Sequence, residues 1–281
     1  MYHQIVPNPG LDRYNQTATQ FKAELQTLYA DGYVPVTAAA LVAGTVDVPA
    51  GKHPVVLTFD DSTVSQFGLT KSGAPKEGTA VALLLAFSAA HPGFPAVATM
   101  YVNFAPPPFA GTNPAAGLRW LVEHGFEIGD HTLSHANLRK VGPVKAQAEI
   151  VADLNAINEA VPGYRVTTFA LPFGVHPQPA SLAWSGASGG AAYHFDGVME
   201  VGSNPAHSPY SAAFDGTRIP RIRSQSLAGA DAPYESKHWL QWLRANPALR
   251  YTSDGDPATI SYPRNSKQSV AARFADRGRP Y

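Results

Sequence analysis

Two adjacent acids, Asp60-Asp61, and two histidines four apart, His131 and His135, are the residues of this 281-residue chain best spaced to do chemistry together. Two imidazoles and one carboxylate supply the three protein ligands of an open catalytic zinc site, with water in the fourth position. The second carboxylate is then free to take a proton. Neither pair decides the matter alone. Asp-Asp-Ser at a strand exit also serves as a turn or helix cap. Like charges this close resist joint ionisation unless a cation or a donor compensates. Histidines at i and i+4 share one face of a helical turn, but such pairs also occur on exposed helices.

The elements around these residues must bring them together. Val55-Val56-Leu57-Thr58-Phe59 is apolar and β-branched and reads as a buried strand. Side chains alternate along a strand, so both acids can face one cavity only where the chain turns at its end. Phe126-Glu127-Ile128 predicts a strand that delivers Gly129-Asp130-His131-Thr132-Leu133-Ser134-His135, with the histidines on a helical turn. A strand over 165–171 runs into Pro172-Phe173-Gly174. Periodicity predicts helices over 17–30, 38–42, 80–90, 114–124 and 143–160, and strands over 2–6, 33–36, 96–104, 193–201 and 218–223. This alternation argues for an α/β fold of parallel βαβ units. In such folds reactive residues gather at the C-terminal strand ends. Residues 68–79 and 105–113 read as loops and 234–244 as an amphipathic helix, while after Gly174 the pattern loosens and 185–192 is Gly/Ala/Ser-rich. A single domain over 1–281 is expected, with 224–281 an irregular C-terminal wrap.

Composition narrows the classes. Lys plus Arg and Asp plus Glu are equal at 21 each, so no basic stripe points to nucleic acid. A neutral glycan suits that balance. The absence of cysteine excludes disulfides and thiolate metal sites. No apolar run approaches the roughly 20 residues of a membrane span, and no signal peptide is read. The opening Met1-Tyr2-His3-Gln4-Ile5-Val6 looks like the middle of a strand, which suggests that a targeting segment once preceded it.

Thr58-Phe59-Asp60-Asp61, then His131-Thr132-Leu133-Ser134-His135, then Phe169-Ala170-Leu171-Pro172-Phe173-Gly174, resembles the motif order of the polysaccharide deacetylases (NodB homology, carbohydrate esterase family 4). The likeness runs from the N-terminus to about residue 223. It implies an irregular, NodB-like (β/α)7-type barrel. It also implies a hydrolase that removes N-acetyl groups from an N-acetylglucosamine-containing polysaccharide or oligosaccharide. Chitin-like, peptidoglycan and poly-N-acetylglucosamine substrates stay open, as do O-acetylated xylan and a non-sugar amide. Asp60 would be the general base. Asp61, His131 and His135 would hold a divalent metal ion, with Zn²⁺ expected. Pro172 and Phe173 would contact substrate, and the backbone near Phe173 would help stabilise the oxyanion. Family habit places the protein outside the cell or in its envelope.

The family's general acid is a His near the C-terminus, but 224–281 holds only His238, inside the predicted Trp239/Trp242 helix. Tyr2-His3-Gln4-Ile5 resembles instead the first strand of circularly permuted members, similar to poly-N-acetylglucosamine deacetylases. That implies His3 as the acid; a strand-end His bonded to a carbonyl is the alternative. Ala170 stands where the family carries an Arg that pairs with the catalytic Asp, Leu171 where Pro or Tyr is usual, and Ser62 where Gly is usual. Arg221 either supplies the missing charge from another strand or makes a surface salt bridge. A catalytically weakened glycan-binding domain is the rival reading. Tyr101, Phe109 and Phe173 are expected to line the mouth. His53, His91, His124, His176, His194 and His207 lack ligand spacing and read as structural.

Overall fold

The structure, a computed structural model, describes every residue except 11, 111–112, 203, 225–229, 265 and 267–268. β1 (Gln4–Ile5) and β2 (Asn15–Gln16) precede α1 (Ala18–Ala30), β3 (Tyr33–Val36) and α2 (Ala38–Ala43). β4 (His53–Val56), β5 (Thr58–Phe59), α3 (Ala80–Ala90), β6 (Thr99–Val102), α4 (Pro114–Glu123), β7 (Glu127–Asp130), α5 (Leu138–Ala160) and β8 (Thr168–Ala170) follow. Then come β9 (Ser185–Ser188), β10 (Ala191–His194), β11 (Gly197–Met199), α6 (Ser236–Ala245), β12 (Ile260–Tyr262) and β13 (Gly278–Pro280).

Local chemistry sets the helix starts. Thr17, Thr37, Thr79, Asn113 and Asn137 each cap α1 to α5 by accepting the N–H three residues on. Gln20 returns the bond to Thr17 in a capping box. Gly142, at φ 78°, breaks α5 just before Pro143, where the sequence pattern begins its helix. No described helix is long and apolar enough to cross a membrane.

The expected strand over 55–59 divides at Leu57. β4 pairs in parallel with β3, while β5 joins a curled parallel sheet of order β11-β8-β7-β6-β5. Backbone bonds close this sheet into an irregular parallel barrel. Tyr2 bridges Phe59 at one edge, and Ile219 bridges Met199 at the other. The two flanking segments then meet: the Met1 amino group donates to the Ile222 carbonyl, and the Ser224 N–H to the Met1 carbonyl. The chain's first residues therefore stand between its opening motif strand and the segment at 219–224. This is the arrangement that the permuted resemblance implies.

Alternation along the strands sorts the core. Met100, Ile128, Phe169 and Val198 pack outward with Phe21, Leu25, Leu84, Leu118 and Ile150 of the helices. Tyr101, Ala170, Met199 and Ile219 point inward, where Ala38 and Val42 of α2 fill the space. Glu127 lies at the buried floor. It accepts from the Thr168 and Thr99 hydroxyls at 2.6 and 2.7 Å and from the Ala39 N–H at 2.9 Å.

Two stretches differ from the sequence reading. The Gly/Ala/Ser-rich stretch, which gave no pattern, belongs to the antiparallel hairpin β9-β10. In 224–281 the expected helix is α6, and the stretch expected to be an irregular wrap also carries the parallel pair β12-β13. The loop expected over 105–113 includes residues 111–112, which lie outside the described residues.

Candidate active site

Asp60 and Asp61 follow β5 directly, and the backbone turns between them. Asp61 and Ser62 take left-handed φ values of 74° and 44°. Such angles strain a residue with a Cβ. They swing the second carboxylate away from the first. Ser62, standing where the family more usually has Gly, is tied down by its Oγ, which accepts the Asn103 N–H at 3.2 Å. The Phe109 N–H donates to the Ser62 carbonyl at 2.8 Å.

His131 and His135 reach Asp61 by a route different from the one expected. They lie on a loop, with no helical turn between them, and Thr132 and His135 sit at φ 64° and 54°. Asp61 Oδ1 is 3.4 Å from His131 Nε2 and 3.5 Å from His135 Nε2. Polar side chains hold the loop from below. Asn103 donates to the His131 and Thr132 carbonyls at 2.6 and 2.7 Å. Asp130 accepts the Thr132 N–H at 2.8 Å. Glu149 accepts the Ser134 N–H and hydroxyl at 3.0 and 2.8 Å. Asp153 lies 3.4 Å from the His131 nitrogen, and burial pushes its carboxyl up to about 8.

These three side chains fit a metal ion. Their ligand atoms lie within 4.8 Å of one another. Asp61 Oδ1 and His131 Nε2 are buried without a hydrogen-bond partner among the described residues. His131 Nδ1 spends its proton on the Ala170 carbonyl at 2.7 Å, which leaves the Nε2 lone pair toward Asp61. Burial opposes charge on His131, yet Asp61 and Asp60 pull its imidazole above its usual value. That field favours a cation at this point.

Asp60 is bound differently. It is 1% exposed, and both its oxygens are gripped by Arg221, Nη1 to Oδ1 and Nη2 to Oδ2, each at 2.7 Å. Burial alone would raise its carboxyl. The Arg221 charge and bonds instead hold it well below the usual carboxylate range. Ala170 thus leaves no gap in charge, because a residue from the opposite edge of the sheet fills it. Arg221 is buried, which rules out the surface salt bridge. His3 sits on the other side, its Nε2 3.9 Å from Asp60 Oδ2. Burial lowers the His3 imidazole, while Asp60 and Asp61 act to raise it. Gln66 ties the two backbones together, donating to the carbonyls of both His3 and Asp60.

Of the aromatic residues expected at the mouth, only Phe173 is there. It is 59% exposed at φ 59°, and its ring centroid lies 4.5 Å from that of His135. Pro172 beside it is buried. Phe109 is buried against Phe67, and Tyr101 points into the barrel interior and is fully buried. His176, read as structural, bonds Glu200 at 2.8 Å just beyond Gly174. Sequence reasoning missed Gln66, Asn103, Asp130, Glu149 and Asp153. Asn103 and Asp130 carried one usable signal, since each lies at a strand end of a parallel sheet.

The polysaccharide deacetylase family model matches residues 47–185. That span contains Asp60, Asp61, His131, His135 and Phe173; His3 and Arg221 lie outside it. The structure resembles that of the deacetylase PplD from Streptococcus pyogenes, solved in complex with acetate. The two share 19% identity over 86% of this chain and 95% of that one, with a TM-score of 0.62. IcaB from Ammonifex degensii is similar at 19% identity, 85% and 94% coverage and a TM-score of 0.53. A de-N-acetylase from Aggregatibacter actinomycetemcomitans is similar at 15% identity, 82% and 95% coverage and a TM-score of 0.51. At these identities the likeness is one of fold.

Proposed function

This chain belongs to the polysaccharide deacetylase family through residues 47–185, and on that premise we propose that it removes N-acetyl groups from an N-acetylglucosamine-containing polysaccharide by metal-dependent hydrolysis. One observation carries the reading: two neighbouring carboxylates have opposite arrangements, Asp61 facing two imidazoles and Asp60 clamped by an arginine beside a third.

Asp61, His131 and His135 would hold the ion, and two nitrogens with one oxygen suit Zn²⁺. When bound, the ion supplies a Lewis acid that polarises the acyl carbonyl and acidifies water. Asp60, kept ionised by Arg221, accepts the proton of the attacking water. The carbonyl carbon gains a C–O bond and the amide C–N bond breaks. His3 gives a proton to the departing amine, work typically worth about 10²–10⁴ in rate. The backbone N–H at Phe173 would donate to the developing oxyanion, and the exposed Phe173 ring offers a face on which a sugar can stack. An amine leaves poorly without a proton, so a histidine beside the base favours an amide over an ester substrate. The name of one fold neighbour, a de-N-acetylase, agrees with that choice. A substrate of this kind places the protein outside the cell or in its envelope.

The test is acetate release from N-acetylglucosamine oligomers by protein stripped of metal and by the same protein reloaded with Zn²⁺. Release that depends on zinc supports the reading. Zinc-loaded protein that frees no acetate from any N-acetylated glycan overturns it.

A further inference from the structure

The Arg221 guanidinium is buried, and its in-plane donors are engaged on several sides. Nε donates to the Glu200 carbonyl at 2.9 Å, Nη1 to the Thr58 hydroxyl at 3.2 Å and to Asp60, and Nη2 to Asp60. Its Cζ also lies over the Tyr101 ring, 5.6 Å from the ring centroid. A desolvated guanidinium over an aromatic ring is held by the ring's negative face.

The Tyr101 ring is itself fixed. Its hydroxyl donates to Thr168 Oγ1 at 3.1 Å, and Thr168 donates to Glu127 at 2.6 Å. Gly129 is the register partner of Tyr101 on β7. A Cβ at Gly129 would overlap the Tyr101 ring, so the ring lies across bare backbone. A core filler would need neither the tether to the polar floor nor the glycine opposite. Both make sense for a ring whose plane matters.

We propose that Tyr101 is a positioning residue for the reaction: its ring, laid over Gly129 and tethered through Thr168, sets the plane in which Arg221 grips Asp60. The proposal rests on the deacetylase reading for the role of Asp60. It rests on geometry alone for the link from Tyr101 to Arg221. The dependence runs in one direction, from Tyr101 through Arg221 to the base.

The experiment compares Tyr101→Leu and Tyr101→Phe in zinc-loaded protein releasing acetate from N-acetylglucosamine oligomers. Tyr101→Leu fills similar space without a π face. It is expected to lower kcat by about tenfold to a hundredfold, as a misplaced catalytic group does, while KM stays within about twofold. Tyr101→Phe restores the ring but not the Thr168 tether, and is expected to recover part of the lost kcat. In the Arg221→Ala background, Tyr101→Leu should cost no more than about a further twofold, because the two residues act as one unit. Wild-type kcat in Tyr101→Leu, or an undiminished loss in the Arg221→Ala background, overturns the proposal. Tyr101→Met replaces the Leu variant if that one does not fold. If the wild-type protein frees no acetate, the deacetylase reading has failed, and crystal structures of the variants decide. A guanidinium turned off Asp60 in Tyr101→Leu and in register in Tyr101→Phe upholds the positioning role. An unmoved guanidinium in Tyr101→Leu ends it.

Discussion

Asp60 and Asp61 are neighbours in sequence and opposites in setting. Asp60 is closed off: 1% exposed, with both oxygens claimed by Arg221 and a third group, His3, at 3.9 Å. Asp61 is open: about a third of its side chain is exposed, and its buried oxygen faces two imidazole nitrogens with no hydrogen-bond donor among the described residues. Two carboxylates this close resist joint ionisation. The protein answers with a cation of its own for the first; on the proposed reading, a bound metal ion answers for the second. Division of labour between the acids thus follows from which positive charge each one meets. The backbone enforces it, because the left-handed Asp61 and Ser62 send the two side chains apart.

If that contrast is sound, damage on the two sides should look different. The largest effect should come from the open side. His131→Ala removes a buried nitrogen with no hydrogen-bond partner among the described residues, and the variant should carry no zinc by elemental analysis and release no acetate. On the closed side, Asp60→Asn should lower kcat by about 10²–10⁴ while bound zinc stays at the wild-type ratio. Zinc lost from Asp60→Asn, or retained in His131→Ala, would erase the distinction. His3→Ala comes next. It should cost about 10²–10³ with an N-acetyl substrate and far less with an aryl acetate, whose phenolate leaves without a proton. An equal loss on both substrates would remove His3 from the role of acid.

Arg221→Met sharpens the comparison through pH. Arg221 holds the Asp60 carboxyl low, against burial that would raise it. Without the guanidinium only burial remains, so the carboxyl rises and takes up its proton at higher pH. The acid limb of the kcat/KM profile should therefore move to higher pH, with activity returning as pH climbs. The linkage to stability has the same sign. A carboxyl depressed in the folded state stabilises above its unfolded value, and that contribution fades as pH falls. Breaking a buried ion pair from one side typically costs about 3–5 kcal/mol, which urea melts at neutral pH would measure. An unshifted acid limb would mean that another group sets it.

The two settings were not equally legible in the sequence. The grouping on the open side could be read, because Asp61, His131 and His135 each sit in a short motif at the end of a strand. What misled was the spacing of the histidines. Four residues suit a helical turn, but a loop bent at Thr132 and His135 serves as well, and spacing cannot tell these apart. The closed side was legible only in part: Arg221 stayed open between supplying the missing charge and a surface salt bridge, since it meets Asp60 across 161 positions. Only the ring closure through Met1, Tyr2 and Ile222 brings them together. Tyr101 was assigned to the mouth on its aromatic character, whereas alternation along β6 turns it into the barrel interior. Phe109 was assigned there on the openness of its loop, but it is spent on packing against Phe67. The hairpin at 185–192 was missed because Gly, Ala and Ser give no periodic signal.

The smallest expected effect concerns the polar cradle beneath the open side. Glu149, on α5, accepts both the N–H and the hydroxyl of Ser134, midway between the two histidines. The Leu133 N–H also binds the Glu149 carbonyl at 3.1 Å, so helix and loop are joined twice. Glu149→Ala would cut the side-chain link and leave the backbone link intact. The loop would then hold its left-handed turns less firmly, and His135, the more exposed ligand, would lose orientation first. Partners that orient metal ligands are typically worth about 10–100-fold in affinity. With the backbone bond preserved, the lower end of that range is expected, about tenfold in the zinc dissociation constant by competition with a chelator. At saturating zinc, kcat should return close to the wild-type value, because nothing on the Asp60 side has moved. A kcat that stays low in saturating zinc would show that the two carboxylate settings are coupled, and that their contrast is weaker than the geometry implies.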